Sequence, residues 1–407
     1  MLNYNAQETF KYKLNNKMNI NSKKVCIMGL GHVGLPTACI LAISGYSVLG
    51  VDINSKVVSC LKSGKLTNLE PNLEKLFKKA IQIGNLNVST QVESADIYIV
   101  ATPTLLDKKN QPDISCVYES IELIKPYIKR NNLVIIESTC PIGTTEIIAQ
   151  ILNSTYSGIY VAYCPERVMP GNIIHELLNN NRIIGGIDIE STNCAVDFYQ
   201  SFVLGEIEIT NSKTAEAVKL AENSYRDINI AYANELSMIA EDIDIDVNHM
   251  IRLANKHPRV QILNPGVGVG GHCIAIDPWF LVASAPKVAS LTSKAREVNT
   301  NKTNWVIKKI KQVIKKNNAN TIACLGLTYK ADTSDTRNSP ALDIVHAIEK
   351  ENYVLRVDPY VINTSFIYEA LKEADVIVIL IAHKEFKDIP SKYFANKVVL
   401  NFTGEIF

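Results

Sequence analysis

From Lys24 the chain reads KVCIMGLGHVGLPTACILAISGYSVLGVD: a short apolar run, a glycine loop, a segment of small and apolar residues of helical length, and a second apolar run closing on Asp52. This pattern predicts a β-strand, helix, β-strand unit. Apolar runs at residues 97–101 and 133–137, separated by segments of helical period, extend it into a parallel sheet. After Pro165 strand signals thin out, and residues 214–243 read as one continuous helix rich in Ala, Glu, Leu and Asn. A helix of about 30 residues spans about 45 Å, a length that suits a connector between domains and a dimer face.

A second α/β unit opens at Thr321, where an internal repeat emerges. TIACLGL parallels VCIMGLG, YVLRVDP parallels YSVLGVD, and EADVIVILIA parallels SADIYIVATP. In the second copy Gly326 is followed by LTYKADTSDTR, without the second and third glycines of the first loop, so the two copies should hold different ligands. The expected fold is α/β, with two Rossmann-like parallel-sheet domains (residues 23–210 and 306–407) joined by a central helical dimerisation domain (residues 211–305) that contains the long helix. Residues 1–22, polar and Asn-rich, read as a disordered extension with no apolar stretch of a secretory signal.

Composition narrows the class. Lys plus Arg is 42 against 41 Asp plus Glu, so a net charge of +1 gives no general pull toward nucleic acid or an anionic membrane. The longest apolar stretch, residues 376–382, falls far short of the roughly 20 residues that span a bilayer. Nine cysteines are scattered without a CxxC pair, and Cys26, Cys39 and Cys324 sit inside apolar runs, as expected of buried thiols in a reducing cytoplasm. No metal-ligand cluster is expected.

Three constellations carry chemistry. Gly29, Gly31 and Gly34 form G-x-G-x-x-G between strand and helix: the first permits the tight turn, the second lets the backbone approach a pyrophosphate, the third lets helix and strand pack. Asp52, 18 residues past Gly34, would accept hydrogen bonds from an adenosine ribose and repel a 2′-phosphate, which favours NAD over NADP. In NPGVGVGGHCIAID, Cys273 follows four glycines (266, 268, 270, 271), a setting that can present a nucleophilic thiol rather than a core filler. His272 beside it could assist or merely anchor the loop. Lys219, Asn223 and Arg226 share one helix face at spacings of four and three, either as a solvated stripe or as groups that stabilise an oxyanion and shuttle a proton.

Taken together, GLGHVGLP, STCPIGTT, CPERVMPGN, KLAENSYRDINIAYANELSMIAED, HPRVQILNPGVGVGGHCIAIDPWF and LTYKADTSDTRNSPA resemble the UDP-glucose/GDP-mannose dehydrogenase family over residues 24–407. The resemblance implies a homodimeric enzyme that oxidises the C6 alcohol of a UDP-sugar to a carboxylate with two NAD. It implies Cys273 as the residue that holds the aldehyde as a thiohemiacetal and then a thioester, Lys219 and Asn223 as the oxyanion-stabilising pair, and Asp277 and Glu166 as carboxylates managing protons or water. Thr139 would lie near the nicotinamide and the water. His32, Val33, Asp52, Thr102 and Arg337 match cofactor-contacting positions. Arg167, Val168, Arg226, His257, Arg259, Gly270, Tyr329 and Lys330 match sugar- or UDP-binding positions, with Arg259 reaching in from the neighbouring subunit. Residues 308–316 (KKIKQVIKK) read as a solvated helix face.

Overall fold

The computed structural model describes residues 23–66, 70–154 and 156–404. The expected extension at 1–22 lies outside them. The chain divides into two compact units, residues 1–220 and 221–407.

The first unit carries an eight-stranded sheet, in the order β10-β9-β8-β7-β4-β1-β2-β3, and a hairpin of β5 and β6. Its strands are β1 (Lys24–Met28), β2 (Ser47–Val51), β3 (Leu86–Ser89), β4 (Ile97–Val100), β5 (Leu105–Leu106), β6 (Pro112–Asp113), β7 (Leu133–Ile136), β8 (Tyr160–Tyr163), β9 (Arg182–Gly186) and β10 (Ile207–Asn211). Val25 and Ile27 of β1 enter one core while Cys26 and Met28 enter the other, because successive side chains of a strand point to opposite faces and this sheet is covered on both. That is why β1 past Lys24, and β4 and β7 throughout, run as unbroken buried stretches rather than alternating. Helix α1 (Gly34–Ile43) lies within the first of these cores, with only Ile43 of its ten residues outside the buried set.

One correction concerns β9 and β10. The strand pattern thins past Pro165, yet β9 pairs with β8 and β10 pairs with β9, and β9 runs antiparallel to β8, so the sheet is not wholly parallel. RIIGG and IEITN give weak signals because glycines and charged residues interrupt them. The β9 glycines are dictated by the backbone: a Cβ on Gly185 would sit 2.3 Å from the Asn211 carbonyl oxygen.

The remaining labelled helices are α2 (Thr144–Asn153), α3 (Ser212–Asp242), α4 (Asp277–Ser284), α5 (Ser290–Asn317) and α6 (Pro340–Ile348). Helix α3 is the expected long helix. In the second unit a four-stranded parallel sheet runs β12-β11-β13-β14, from β11 (Thr321–Leu325), β12 (Tyr353–Val357), β13 (Val376–Ile379) and β14 (Val398–Asn401). Residues 308–316 belong to α5, whose Val306, Ile310 and Ile314 are buried while Lys308, Lys315 and Lys316 lie on the exposed side.

The internal repeat is structural. Gly29 N–H donates to Val51 O and Gly326 N–H to Val357 O, each at 2.8 Å; Ala101 N–H donates to Met28 O and Leu380 N–H to Leu325 O. Each half thus places a left-handed glycine (φ +94° and +88°) at the carboxyl end of its first strand.

Candidate active site

In the first unit the glycine loop sits between β1 and its neighbours β2 and β4, where the strand order reverses and ligands of such sheets bind. The three glycines answer to different constraints. A Cβ on Gly34 would lie 1.9 Å from Gly29 O, and one on Gly29 would lie 2.7 Å from Ala101 O. A Cβ on Gly31 would meet nothing within 4 Å. The packing of the protein does not require a glycine at 31, and the open space there leaves room for a pyrophosphate to approach the backbone. Asp52 Oδ2 accepts from Leu30 N–H at 3.1 Å and Oδ1 from Asn54 N–H at 2.9 Å, which fixes the carboxylate at the end of β2 while leaving it part-exposed. Thr102 Oγ1 is buried and makes no hydrogen bond. His32 is exposed on the loop and Val33 precedes α1. These features fit NAD.

Beside this loop, Ser138 Oγ donates to Thr102 O at 2.7 Å, and half-buried Thr139 follows it. Lys219, 7% exposed, donates from Nζ to Glu166 O at 2.6 Å and lies 3.9 Å from Glu166 Oε2. Val168 N–H donates to the other Glu166 oxygen. The Arg167 guanidinium donates to Asn181 O at 3.0 Å.

Two carboxylates that sequence reasoning missed hold this region. Glu216 of α3, fully buried, accepts from Gly143 N–H (2.5 Å), Thr145 N–H (2.8 Å) and Thr145 Oγ1 (2.6 Å), capping the N-terminus of α2 within STCPIGTT. Burial pushes its carboxyl up, and these hydrogen bonds oppose the shift. Glu70 accepts from Gly171 N–H and Ile173 N–H, tying down the CPERVMPGN segment. Their partners lie 71 to 103 residues away, so no local pattern marks them.

In the second unit, half-buried Cys273 stands one turn ahead of α4, with its carbonyl accepting from Ile276 N–H (2.9 Å) and Asp277 N–H (2.8 Å). Asn223 Nδ2 donates to buried Asp277 Oδ2 at 2.5 Å, joining α3 to α4. Gly271 is gripped at both ends: its N–H donates to Arg337 O and its carbonyl accepts from Asn338 Nδ2, both at 3.1 Å. The glycines before Cys273 read in the sequence as a setting that presents a nucleophilic thiol; Gly270 and Gly271 also have a packing reason. A Cβ on Gly270 would lie 2.3 Å from Asn338 O, and one on Gly271 2.9 Å from the Tyr329 ring.

Tyr329, Cys273, Asp335, Arg337 and Arg226 form one electrostatic neighbourhood. Burial raises the Tyr329 phenol, as do Asp335 and Cys273, while Arg337 and Arg226 lower it. Arg337 pairs with Asp335 (Nη2 to Oδ2, 2.5 Å), and its bonds hold the Asp335 carboxyl low against the opposing effect of burial. Lys330 and Arg226 are exposed. His257 and Arg259 are exposed on the turn after the helix Val247–Ala254, where Arg259 N–H donates to His257 Nδ1 at 3.3 Å.

The second half closes the position that Asp52 leaves open in the first. Asp358 ends β12 as Asp52 ends β2, and its Oδ2 takes Leu327 N–H at 2.7 Å as Asp52 takes Leu30 N–H. Here, however, His383 Nε2 lies 3.0 Å from the same oxygen, and both side chains are fully buried. A ribose has no access to Asp358, in agreement with the missing glycines. Among the described residues no group of His, Cys, Asp and Glu could hold a metal ion.

Three family models cover most of the chain, all of the UDP-glucose/GDP-mannose dehydrogenase family: its NAD binding domain over residues 23–203, its central domain over 213–301 and its UDP binding domain over 323–403. A UDP-N-acetyl-D-mannosamine dehydrogenase of Methanocaldococcus jannaschii is 48% identical, covering 92% of this chain and 89% of the relative. An NDP-N-acetyl-D-galactosaminuronic acid dehydrogenase of Ralstonia nicotianae is 40% identical over 95% of this chain and 97% of its own length. The solved UDP-D-ManNAc dehydrogenase of Pyrococcus horikoshii superposes with a TM-score of 0.89 at 39% identity, covering 94% of this chain and 96% of that one.

Proposed function

Because this chain belongs to the UDP-glucose/GDP-mannose dehydrogenase family and is an NAD-dependent oxidoreductase, we propose that it oxidises C6 of UDP-N-acetyl-D-mannosamine to give UDP-N-acetyl-D-mannosaminuronate. The substrate reading is carried by the relative that is 48% identical and bears that activity in its name.

NAD, when bound, supplies the hydride acceptor for each of two oxidations. The Asp52 carboxylate, Gly31, Val33, His32 and Thr102 hold it, with Thr139 beside the nicotinamide end. In the first step the C6 alcohol loses a proton and a hydride and becomes the aldehyde. The Cys273 sulfur then adds to the aldehyde carbon; the oxygen takes up a proton, and a thiohemiacetal results. Lys219 Nζ and Asn223 Nδ2 stabilise the oxygen as its charge develops. Loss of a second hydride from carbon and of the hydroxyl proton leaves a thioester. Water adds to it, the C–S bond breaks, and the carboxylate departs while sulfur regains a proton. Glu166, next to Lys219, and Asp277, bound by Asn223, receive and return these protons. Arg167, Val168, Arg226, His257, Gly270, Tyr329 and Lys330 bind the UDP-sugar, with the cationic groups facing its diphosphate. We further propose a cytoplasmic homodimer in which exposed Arg259 serves the partner's site, and a product destined for a surface polysaccharide.

The test is NADH release with UDP-N-acetylmannosamine, UDP-N-acetylglucosamine, UDP-N-acetylgalactosamine and UDP-glucose side by side. Highest kcat/KM is expected on the first; highest kcat/KM on another would reassign the substrate. The galactosamine sugar is included because of the Ralstonia relative.

A further inference from the structure

The loop after β11 carries Tyr329 and Lys330, the residues assigned above to the nucleotide, and a buried histidine from elsewhere in the second unit fastens it on both sides. His383 follows β13, so it stands where the strand order of the sheet reverses, beside the carboxyl end of β11. It is 0% exposed. Its Nδ1 accepts from Asp332 N–H at 2.9 Å, which fixes the tautomer: Nε2 carries the proton and donates to Asp358 Oδ2 at 3.0 Å. Thr328 Oγ1 lies 3.3 Å from the same Nε2 and donates to Lys330 O at 2.8 Å.

Asp358 is itself tied to the loop through Leu327 N–H, and its other oxygen accepts from Tyr360 N–H at 2.8 Å. Although burial raises the Asp358 carboxyl, the bonds from His383, Leu327 and Tyr360 hold it below the ordinary range, so the acceptor of this network is ionised. Asp332 adopts φ +57°, an unfavourable region for a residue with a side chain. It is held there by His383 on its N–H and by Lys384 N–H on its carboxylate at 3.0 Å. The rings of Tyr360 and Phe386 pack on the imidazole at 5.0 and 5.4 Å.

We propose that His383 is a positioning residue for the nucleotide end of the substrate: by fastening Thr328 and Asp332, and by holding the Asp358 carboxylate that fastens Leu327, it fixes the intervening Tyr329 and Lys330 in the conformation that receives UDP. The proposal rests on the functional reading above. It explains why a half that has lost its dinucleotide glycines keeps the strand-end aspartate. In the first half that carboxylate is available to a ribose, and in the second it serves a histidine that shapes the loop.

Three measurements on the whole enzyme test it: the Kd for UDP by titration calorimetry, the KM values for UDP-sugar and for NAD, and kcat. His383→Ala is expected to raise the UDP Kd and the UDP-sugar KM about tenfold, the order of one lost buried hydrogen bond, with the NAD KM and kcat within about twofold of wild type. His383→Gln, whose amide offers one donor and one acceptor, should recover most of the affinity. A folded His383→Ala that binds UDP like wild type, or that loses kcat and NAD affinity in step, would overturn the proposal. If His383→Ala does not fold, His383→Asn, whose shorter amide reaches one partner but not both, takes its place: the same rise in UDP Kd is expected, and the same two results would overturn the proposal. Wild type that failed to bind UDP would overturn the functional reading and this inference together, whereas the variant outcomes bear on His383 alone.

Discussion

Gly31 and Gly34 stand three residues apart in one loop and answer to different partners. A Cβ at 34 would collide with Gly29 O at 1.9 Å, so Gly34→Ala is expected to shift backbone and destabilise the unit by several kcal/mol, on the order of overpacked or strained sites. At 31 the space is open. Gly31→Ala should therefore leave Tm within about 2 °C of wild type, while weakening NAD binding by fluorescence titration. A large fall in Tm at 31, or unchanged NAD affinity, would contradict this division of roles. Asp52 offers a second test at this scale. Asp52→Asn keeps the size but removes the charge that repels a 2′-phosphate, so the preference for NAD over NADP should narrow, and an unchanged ratio would show that Asp52 does not read the ribose. The glycines and Asp52 were legible because their spacing is fixed by one strand, one turn and one helix. His383, Glu216 and Glu70 were not, since their partners are 25 to 103 residues distant. Asp358 could have been found, because YVLRVDP aligns it with Asp52.

At the scale of elements, the pairing of α3 with α5 rests on a buried polar seam. Arg296 Nη1 donates to Asp227 Oδ1 at 2.5 Å, Asn299 donates to the same oxygen at 2.8 Å, and Asn234 links Asn299 to Gly266 N–H at the foot of the cysteine loop. Breaking one partner of a buried pair leaves the other charge unmatched, so Asp227→Ala should lower stability by about 3–5 kcal/mol in denaturant titration. Further along, Lys302 donates to Ser237 Oγ at 2.8 Å and lies 4.0 Å over the Trp305 ring, and burial lowers its amine to about 8. The ordinary value is about 10.4, so between pH 8 and that value the unfolded chain holds the proton that the folded one has released. Stability from this group therefore rises as pH increases through that window. Comparing the Tm of wild type with that of Lys302→Met from pH 7 to pH 10 should show the gap moving in favour of wild type, and a pH-independent gap would contradict the assignment. Helix α3 itself was legible, expected at 214–243 and found as Ser212–Asp242, because its composition and length are local properties. The seam was not, because a polar residue facing another helix and one facing water look alike in sequence.

At the scale of the whole molecule, the repeat of strand, glycine turn and strand-end aspartate was legible as three matched segments, and the parallel pairing of β1 with β2 and β4 and of β11 with β12 and β13 follows it. What escaped is the pair β9 and β10, parallel to each other and antiparallel to β8, added at an edge by sequence too broken to read as strand. Assembly gives its own test. If Arg259 serves the partner's site, Arg259→Ala and Cys273→Ala homodimers should each be nearly inactive, and mixing them should restore part of the activity, since two-fold symmetry leaves one site of each heterodimer intact. No recovery with subunit exchange confirmed would place Arg259 in its own chain's site or in none. The central claim is that Cys273 carries the aldehyde through the second oxidation. A base and a placed hydride acceptor suffice for the first step, but the second needs a tetrahedral carbon, which in the proposed mechanism the sulfur provides. The most direct measurement is single-turnover product analysis by mass spectrometry with excess NAD. Wild type should release two NADH for each uronate formed, and Cys273→Ala, still binding UDP-sugar and NAD, should form no uronate and at most a little enzyme-bound aldehyde; uronate from Cys273→Ala at near wild-type rate would contradict the account.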